Sequence, residues 1–323
     1  MLKPEPKGKI LFVFSDPGGA KPCLSLMAGH DEANVLAVSD REHHFYKNFK
    51  NQVIIVNGQL NLIVDEFNPD LIFTGTSYTS NIEQRFVSIA KQKGITCWSF
   101  VDHWTSISER FRNSEGSLNL PDKVLVLDER ARDIAINEGI SIDKLLIIGN
   151  PYHSWLANWN SSLSRKDYFE KIGVHNESKK IILFAPDPLS NVDGKMIYGF
   201  DEYSASEKIV KLVEEAPKDL VKDWLILVKM HPNQKTASLM KIFSGNENFK
   251  LLPTDLDVNE SIYFSIAVIG FFSSLLREAD IMGKPIIRFL EACLTNDPFE
   301  GLNIGSIANE DNLIYKISNI LSK

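Results

Sequence analysis

Apolar residues in this chain fall into short runs that return at regular intervals, with helix-patterned polar segments between them. The first series is "KILFVFS" (9–15), "ANVLAVS" (33–39), "QVIIVN" (52–57), "PDLIFTG" (69–75), "GITCWSFV" (94–101), "DKVLVLD" (122–128) and "KLLIIGN" (144–150). Segments such as "AKPCLSLMAG" and "SNIEQRFVSIAKQKG" (80–94) lie between the runs and carry helical spacing. Short strands that are apolar on both faces and alternate with helices predict a parallel sheet covered on both sides.

A polar bridge from Ser161 to Lys166 interrupts the pattern, which then restarts with "KKIILFAP" (179–186), "DWLILVKMHP" (223–232), "FKLLP" (249–253), "IAVIG" (266–270) and "KPIIRF" (284–289). The chain is therefore expected to hold two doubly wound α/β units, over 1–155 and 156–308. A closing helix is expected over 309–323, with Asn309 or Asp311 near its cap.

Composition narrows the partners. The 323 residues suffice for two cores, and 44% hydrophobic with 24% charged residues is the balance of a globular protein. A formal charge of −7 argues against a general nucleic-acid binder. Cys23, Cys97 and Cys293 are widely spaced and odd in number, which fits neither a disulfide framework nor a metal site and suggests a reducing, cytoplasmic setting. "MLKPEPKGKILFVFSD" reads as neither a secretory signal nor a membrane span, so a membrane-linked substrate would be met peripherally, at the inner face.

Candidate chemistry gathers at strand ends, where doubly wound sheets bind ligands. In the second half these ends are "FAPDPLSN" (184–191), "VKMHPNQ" (228–234) and "GFFSS" (270–274). Lys229, His231, Ser273, Ser274 and the amides of the following helix supply donors suited to a phosphate or diphosphate. Pro232 would end the strand pairing, and Glu278, one turn after Ser274, could reach a ribose hydroxyl. The plainer readings are a turn for the His-Pro pair and a simple cap for the serines.

In the first half, "FSDPGGAKP" (14–22) places Asp16 after the first strand, followed by Gly18 and Gly19, which are expected to bind nucleotide or phosphate by letting backbone approach it closely, although the spacing of a dinucleotide fingerprint is lacking. "SFVDHWTSISERF" (99–111) places Asp102, His103 and Trp104 after another strand, with Glu109 and Arg110 just beyond. Asp16, Asp102 and His103 are the residue types a catalytic base requires. Asp16 could equally cap a helix, and Asp102 and His103 could hold the next loop. Trp104 could stack on a sugar or sit buried. "DLD" (255–257) imitates a metal-binding Asp-x-Asp but is expected to start a helix, and His43-His44 are expected at the surface, so no metal is expected.

The stretch "SSLLREADIMGKPII", with "KMHP" before it, resembles glycosyltransferases of the GT-B type, which pair two Rossmann-like domains across a cleft. It is similar, more loosely, to UDP-N-acetylglucosamine 2-epimerases of related fold. The His-Pro and Ser-Ser pairs resemble those of bacterial sialyltransferases, Kdo transferases and CDP-glycerol polymer transferases. The resemblance implies a C-terminal domain that binds a CMP-, CDP- or UDP-linked sugar through Lys229, His231, Pro232, Ser273, Ser274 and Glu278. It further implies an N-terminal, acceptor-side domain carrying Asp16, Asp102 or His103 as base. The leading expectation is a metal-independent glycosyltransferase that acts on a glycan or lipid-linked acceptor in surface polysaccharide synthesis. The alternatives are a nucleotide-sugar 2-epimerase, a glycerophosphotransferase and a non-catalytic nucleotide-sugar binder.

Overall fold

The computed structural model describes residues 8–112, 116–231, 234, 236–291, 297–299 and 301–322. The chain divides into two compact units, Met1–Trp155 and Leu156–Lys323. Each is built on one parallel sheet flanked by helices, the doubly wound α/β architecture that the hydrophobic pattern predicts.

The first sheet contains β1 (Ile10–Phe14), β2 (Val35–Ser39), β3 (Val53–Ile55), β4 (Leu71–Thr74), β5 (Thr96–Phe100), β6 (Lys123–Val126) and β7 (Leu145–Ile147). Their order is β3-β2-β1-β4-β5-β6-β7, and every pairing is parallel. Strand order reverses between β1 and β4, which opens a crevice at their carboxyl ends. Gly19 and Gly75 meet beside it. A Cβ on Gly75 would stand 2.7 Å from the Gly19 Cα, so neither position has room for a side chain.

The second sheet contains β8 (Lys180–Ala185), β9 (Trp224–Val228), β10 (Phe249–Leu251), β11 (Ala267–Gly270), β12 (Ile286–Phe289) and β13 (Ser306–Ala308). Its order is β10-β9-β8-β11-β12-β13, again parallel throughout, with the reversal between β8 and β11. Ile182 and Phe184 of β8 enter one apolar cluster, whereas Ile181, Leu183 and Ala185 enter another on the opposite face. Both faces are thus covered, which is why β8 reads as a continuous apolar run.

Two features at the C-terminal end complete the second unit. Strand β13 escaped the hydrophobic pattern because it has three residues, lies at the sheet edge and leaves Ile307 exposed. The closing helix runs Leu313–Leu321 with Asn312 at its N-cap, and Asn309 and Asp311 lie in the turn just before it, the Asp311 amide donating to Asn309 Oδ1 at 3.1 Å.

Candidate functional site

At the carboxyl edge of the second sheet, four strand-end loops are tied to one another. After β8, the Pro186 carbonyl accepts from Gln234 Nε2 at 3.0 Å, and Gln234 Oε1 accepts from the His231 amide at 2.7 Å. This fixes the turn after β9 that carries Lys229 and His231, both half-buried. Burial, and then the nearby Lys229 charge, pull the His231 pKa down, which favours a neutral imidazole with one N–H to donate. Pro232 and Cys293 lie outside the described residues.

Asp187, also after β8, crosses the strand-order reversal and accepts from the Phe272 amide at 2.8 Å. Arg288, buried at the end of β12, donates Nε to the Phe271 carbonyl at 3.1 Å and forks onto Asp297, with Nη1 to Oδ2 at 2.8 Å. Ser273 is the N-cap residue of the helix Ser274–Ile281, yet its hydroxyl makes no cap bond. Its Oγ is buried without a well-formed hydrogen bond among the described residues, although it lies close enough to Asp187 to favour the ionised carboxyl. Ser274 is exposed, and Glu278 stands half-buried one turn on. The loops bearing Lys229, His231, Ser273 and Ser274 therefore share one sheet edge, stitched together by Gln234, Asp187 and Arg288.

The first sheet builds a different edge. Asp16, after β1, accepts from the Tyr78 amide at 2.8 Å, the Thr79 amide at 3.3 Å, the Thr79 hydroxyl and Arg41 Nη1 at 3.2 Å. Burial raises its pKa, but these donors outweigh burial and the net shift is downward. Such a carboxylate is well held and weakly basic. Beside it, Ser77 accepts from the Asp16 amide at 2.8 Å and donates to the buried Glu83. Burial pushes the Glu83 pKa up to about 7, with the Asp16 and Asp40 charges adding to the rise. Its Oε2 finds no partner among the described residues.

Asp102 pairs with Arg110 at 3.0 Å, and Arg110 also donates to Thr76 Oγ1 at 3.2 Å and stacks over the Tyr78 ring. A Cβ on Gly18 would stand 1.9 Å from Asp102 Oδ2, so this glycine makes room for the carboxylate at the helix Pro17–Met27. His103 is exposed, and its Nδ1 accepts from the Thr105 amide at 3.2 Å, which places the proton of the neutral ring on Nε2. Trp104 is half-buried, with Nε1 donating to both Asp128 oxygens.

The two decoys resolve differently. Asp257 caps the helix Val258–Phe264, accepting from the Asn259 amide at 2.7 Å, as the helix-start reading predicts. His43 is not a plain surface residue: it is half-buried, its Nε2 meets the Ser15 carbonyl at 2.8 Å, and it stacks on Phe45. Among the described residues, no cluster of His, Cys, Asp and Glu is arranged to hold a metal ion. No described helix is long and apolar enough to cross a membrane.

No protein-family model matches the chain, and no curated protein sequence matches it. Solved structures do, with little sequence identity. A proposed UDP-N-acetylglucosamine 2-epimerase of Listeria monocytogenes superposes with a TM-score of 0.66 at 17% identity, over 98% of this chain and 89% of that one. The UDP-GlcNAc 2-epimerase of Methanocaldococcus jannaschii gives 0.63 at 14%, over 98% and 92%. That of Neisseria meningitidis, solved with UDP-GlcNAc bound, gives 0.65 at 14%, over 97% and 91%.

The fold is thus the two-domain, GT-B-like α/β fold that these epimerases share. The leading expectation of a glycosyltransferase is corrected by the same finding. The solved structures that match nearly the whole chain include several 2-epimerases, and they favour the epimerase alternative. The motif resemblance named both classes, and its small hydroxyl residues at a helix start suit a phosphate-bearing ligand whichever reaction follows. They do not report whether the sugar leaves.

Proposed function

We propose that the protein is a nucleotide-sugar 2-epimerase that takes a UDP-linked sugar as its substrate. The observation that carries this reading is the stitched edge of the second sheet, at the strand-order reversal, in a fold shared with epimerases solved with UDP-GlcNAc. In this reading the Lys229 ammonium, the neutral His231 ring, the Ser273 and Ser274 hydroxyls and the amides opening the helix Ser274–Ile281 hold the diphosphate. Such fixed donors act most strongly where charge builds on the nucleotide. Glu278 is assigned to a ribose hydroxyl.

Inverting a sugar carbon means removing a proton from one face and returning one to the other, which calls for groups able to exchange protons. His103, with its Nε2–H turned from Thr105, and Asp102 are assigned to that work. Asp16 is assigned to holding the loop after β4, since its oxygens already accept four donors. Gly18 and Gly19 are assigned to close packing, because protein atoms occupy the space a Cβ would need.

Incubation with UDP-GlcNAc in D2O, followed by NMR of the nucleotide sugar, tests the reading. The expected outcome is a second species inverted at C2 and carrying deuterium there, formed without any second substrate. An unchanged substrate with no deuterium would overturn it. A thermal-shift panel of CMP, CDP, UDP, GDP and dTDP should show its largest stabilisation with UDP.

A further inference from the structure

Phe271 C=O and Phe272 N–H belong to one peptide group, which lies at the entry to the helix carrying Ser273 and Ser274. Two buried side chains of opposite charge grip it from opposite sides. Asp187, from the end of β8, takes the N–H at 2.8 Å, and Arg288, from the end of β12, takes the C=O at 3.1 Å. Arg288 is itself locked by its fork onto Asp297 and lies over the Phe299 ring, 5.0 Å from its centroid. The Phe272 ring packs against those of Tyr198 and Phe200, so the residue is anchored at its side chain as well.

A peptide held at one end can still rotate about its flanking bonds. Held at both ends by groups on two different strands, it has one orientation. The next two residues supply the hydroxyls and amides at the helix entry, so their directions depend on that peptide. Ser273 does not spend its hydroxyl on capping, and that hydroxyl lies beside the Asp187 carboxylate, so the same acid that holds the peptide also borders the serine.

We propose that Asp187 and Arg288 are positioning residues which clamp the 271–272 peptide and so set the serine-lined helix entry to receive the diphosphate of a nucleotide rather than its nucleoside. This rests on the nucleotide-sugar reading above and names what selects for the phosphate end of the ligand. The clamp acts through Ser273, Ser274 and the helix amides, and neither residue needs to touch the ligand.

Calorimetric affinities for UDP and uridine, measured on wild type, Asp187→Ala and Asp187→Asn, test the clamp. The asparagine keeps an oxygen to accept the Phe272 amide, whereas alanine removes it. A hydrogen bond of this type at a charged group corresponds to roughly tenfold in affinity or more. Asp187→Ala should therefore weaken UDP binding about tenfold and leave uridine within about twofold. Asp187→Asn should retain the preference within about threefold of wild type. A global packing defect would lower both ligands together, so an unchanged UDP-to-uridine ratio in Asp187→Ala overturns the clamp. If wild type itself shows no preference for UDP over uridine, the nucleotide reading fails and the clamp's role fails with it.

Discussion

Both sheets place an aspartate two residues beyond the first strand of the unit and use it to cross the strand-order reversal. Asp16 follows β1 and binds the amides of Tyr78 and Thr79 after β4, while Asp187 follows β8 and binds the amide of Phe272 after β11. The topological task is the same, yet the electrostatic solutions are opposite. Asp16 has Arg41 and the Thr79 hydroxyl beside it, and its pKa is pulled down despite burial. Asp187 has no ion-pair partner among the described residues, and burial pushes its pKa up to about 6 despite the amides and hydroxyl that oppose it. A crossing carboxylate is therefore a feature of the fold, whereas its charge state is set locally. On the first edge Asp16 and Asp102 each meet an arginine, whereas on the second edge the arginine goes to Asp297 and Asp187 is left to the amides.

The largest separation should appear in the pH dependence of stability. A rise from 3.8 to about 6 in Asp187 corresponds to at most about 3 kcal/mol, and the rise in Glu83 from 4.5 to about 7 is similar. Each carboxyl binds its proton more tightly in the folded chain than in the unfolded one. Stability from both is thus complete below about pH 4 and is lost as pH rises through about 6 to 7. Urea unfolding should show wild type gaining stability from pH 7.5 to pH 5. Asp187→Asn and Glu83→Gln should each flatten part of that slope. A full wild-type slope in both variants would break the comparison on the second-sheet side and at Glu83 together.

At fixed pH the same substitution should act in opposite directions at the two crossings. Asp16→Asn gives up the charge that Arg41 and Thr79 meet, which should cost about 1–2 kcal/mol at pH 7.5. At that pH Asp187→Asn removes a carboxylate kept ionised against its burial, and it should be neutral or gain up to about 1 kcal/mol. Denaturation midpoints at matched slope measure both. Equal losses at the two positions would show that the aspartates are equivalent after all.

The fold was legible because a two-sided parallel sheet leaves a strong local mark: twelve apolar runs each became a strand. Loops that could carry chemistry were legible for the same reason, since strand ends locate them. The stitching was not. Asp16 meets Tyr78 across 62 residues and Asp187 meets Phe272 across 85, separations with no local pattern. Arg288 did leave a signal, a lone charge inside the apolar run "PIIRF", and a buried arginine needs partners. Glu83 left none, since a glutamate in the first turn of a helix is ordinary. Epimerase and transferase could not be separated, because donors for a diphosphate look alike in both.

The smallest effect bears on the two adjacent serines at the second-sheet edge. Ser164 is the ordinary case, capping the helix Arg165–Lys171 through a reciprocal box with Asp167. Ser164→Ala should cost about 1 kcal/mol. Ser273 occupies the equivalent N-cap position of the helix Ser274–Ile281 but donates to and accepts from no cap partner. Ser273→Ala should therefore change stability by less than about 0.5 kcal/mol while it still weakens UDP binding. Paired denaturation of the two variants, with UDP affinity measured on Ser273→Ala, separates a hydroxyl kept for the helix from one kept for a ligand. A loss of about 1 kcal/mol in Ser273→Ala with UDP binding unchanged would return Ser273 to a plain capping role.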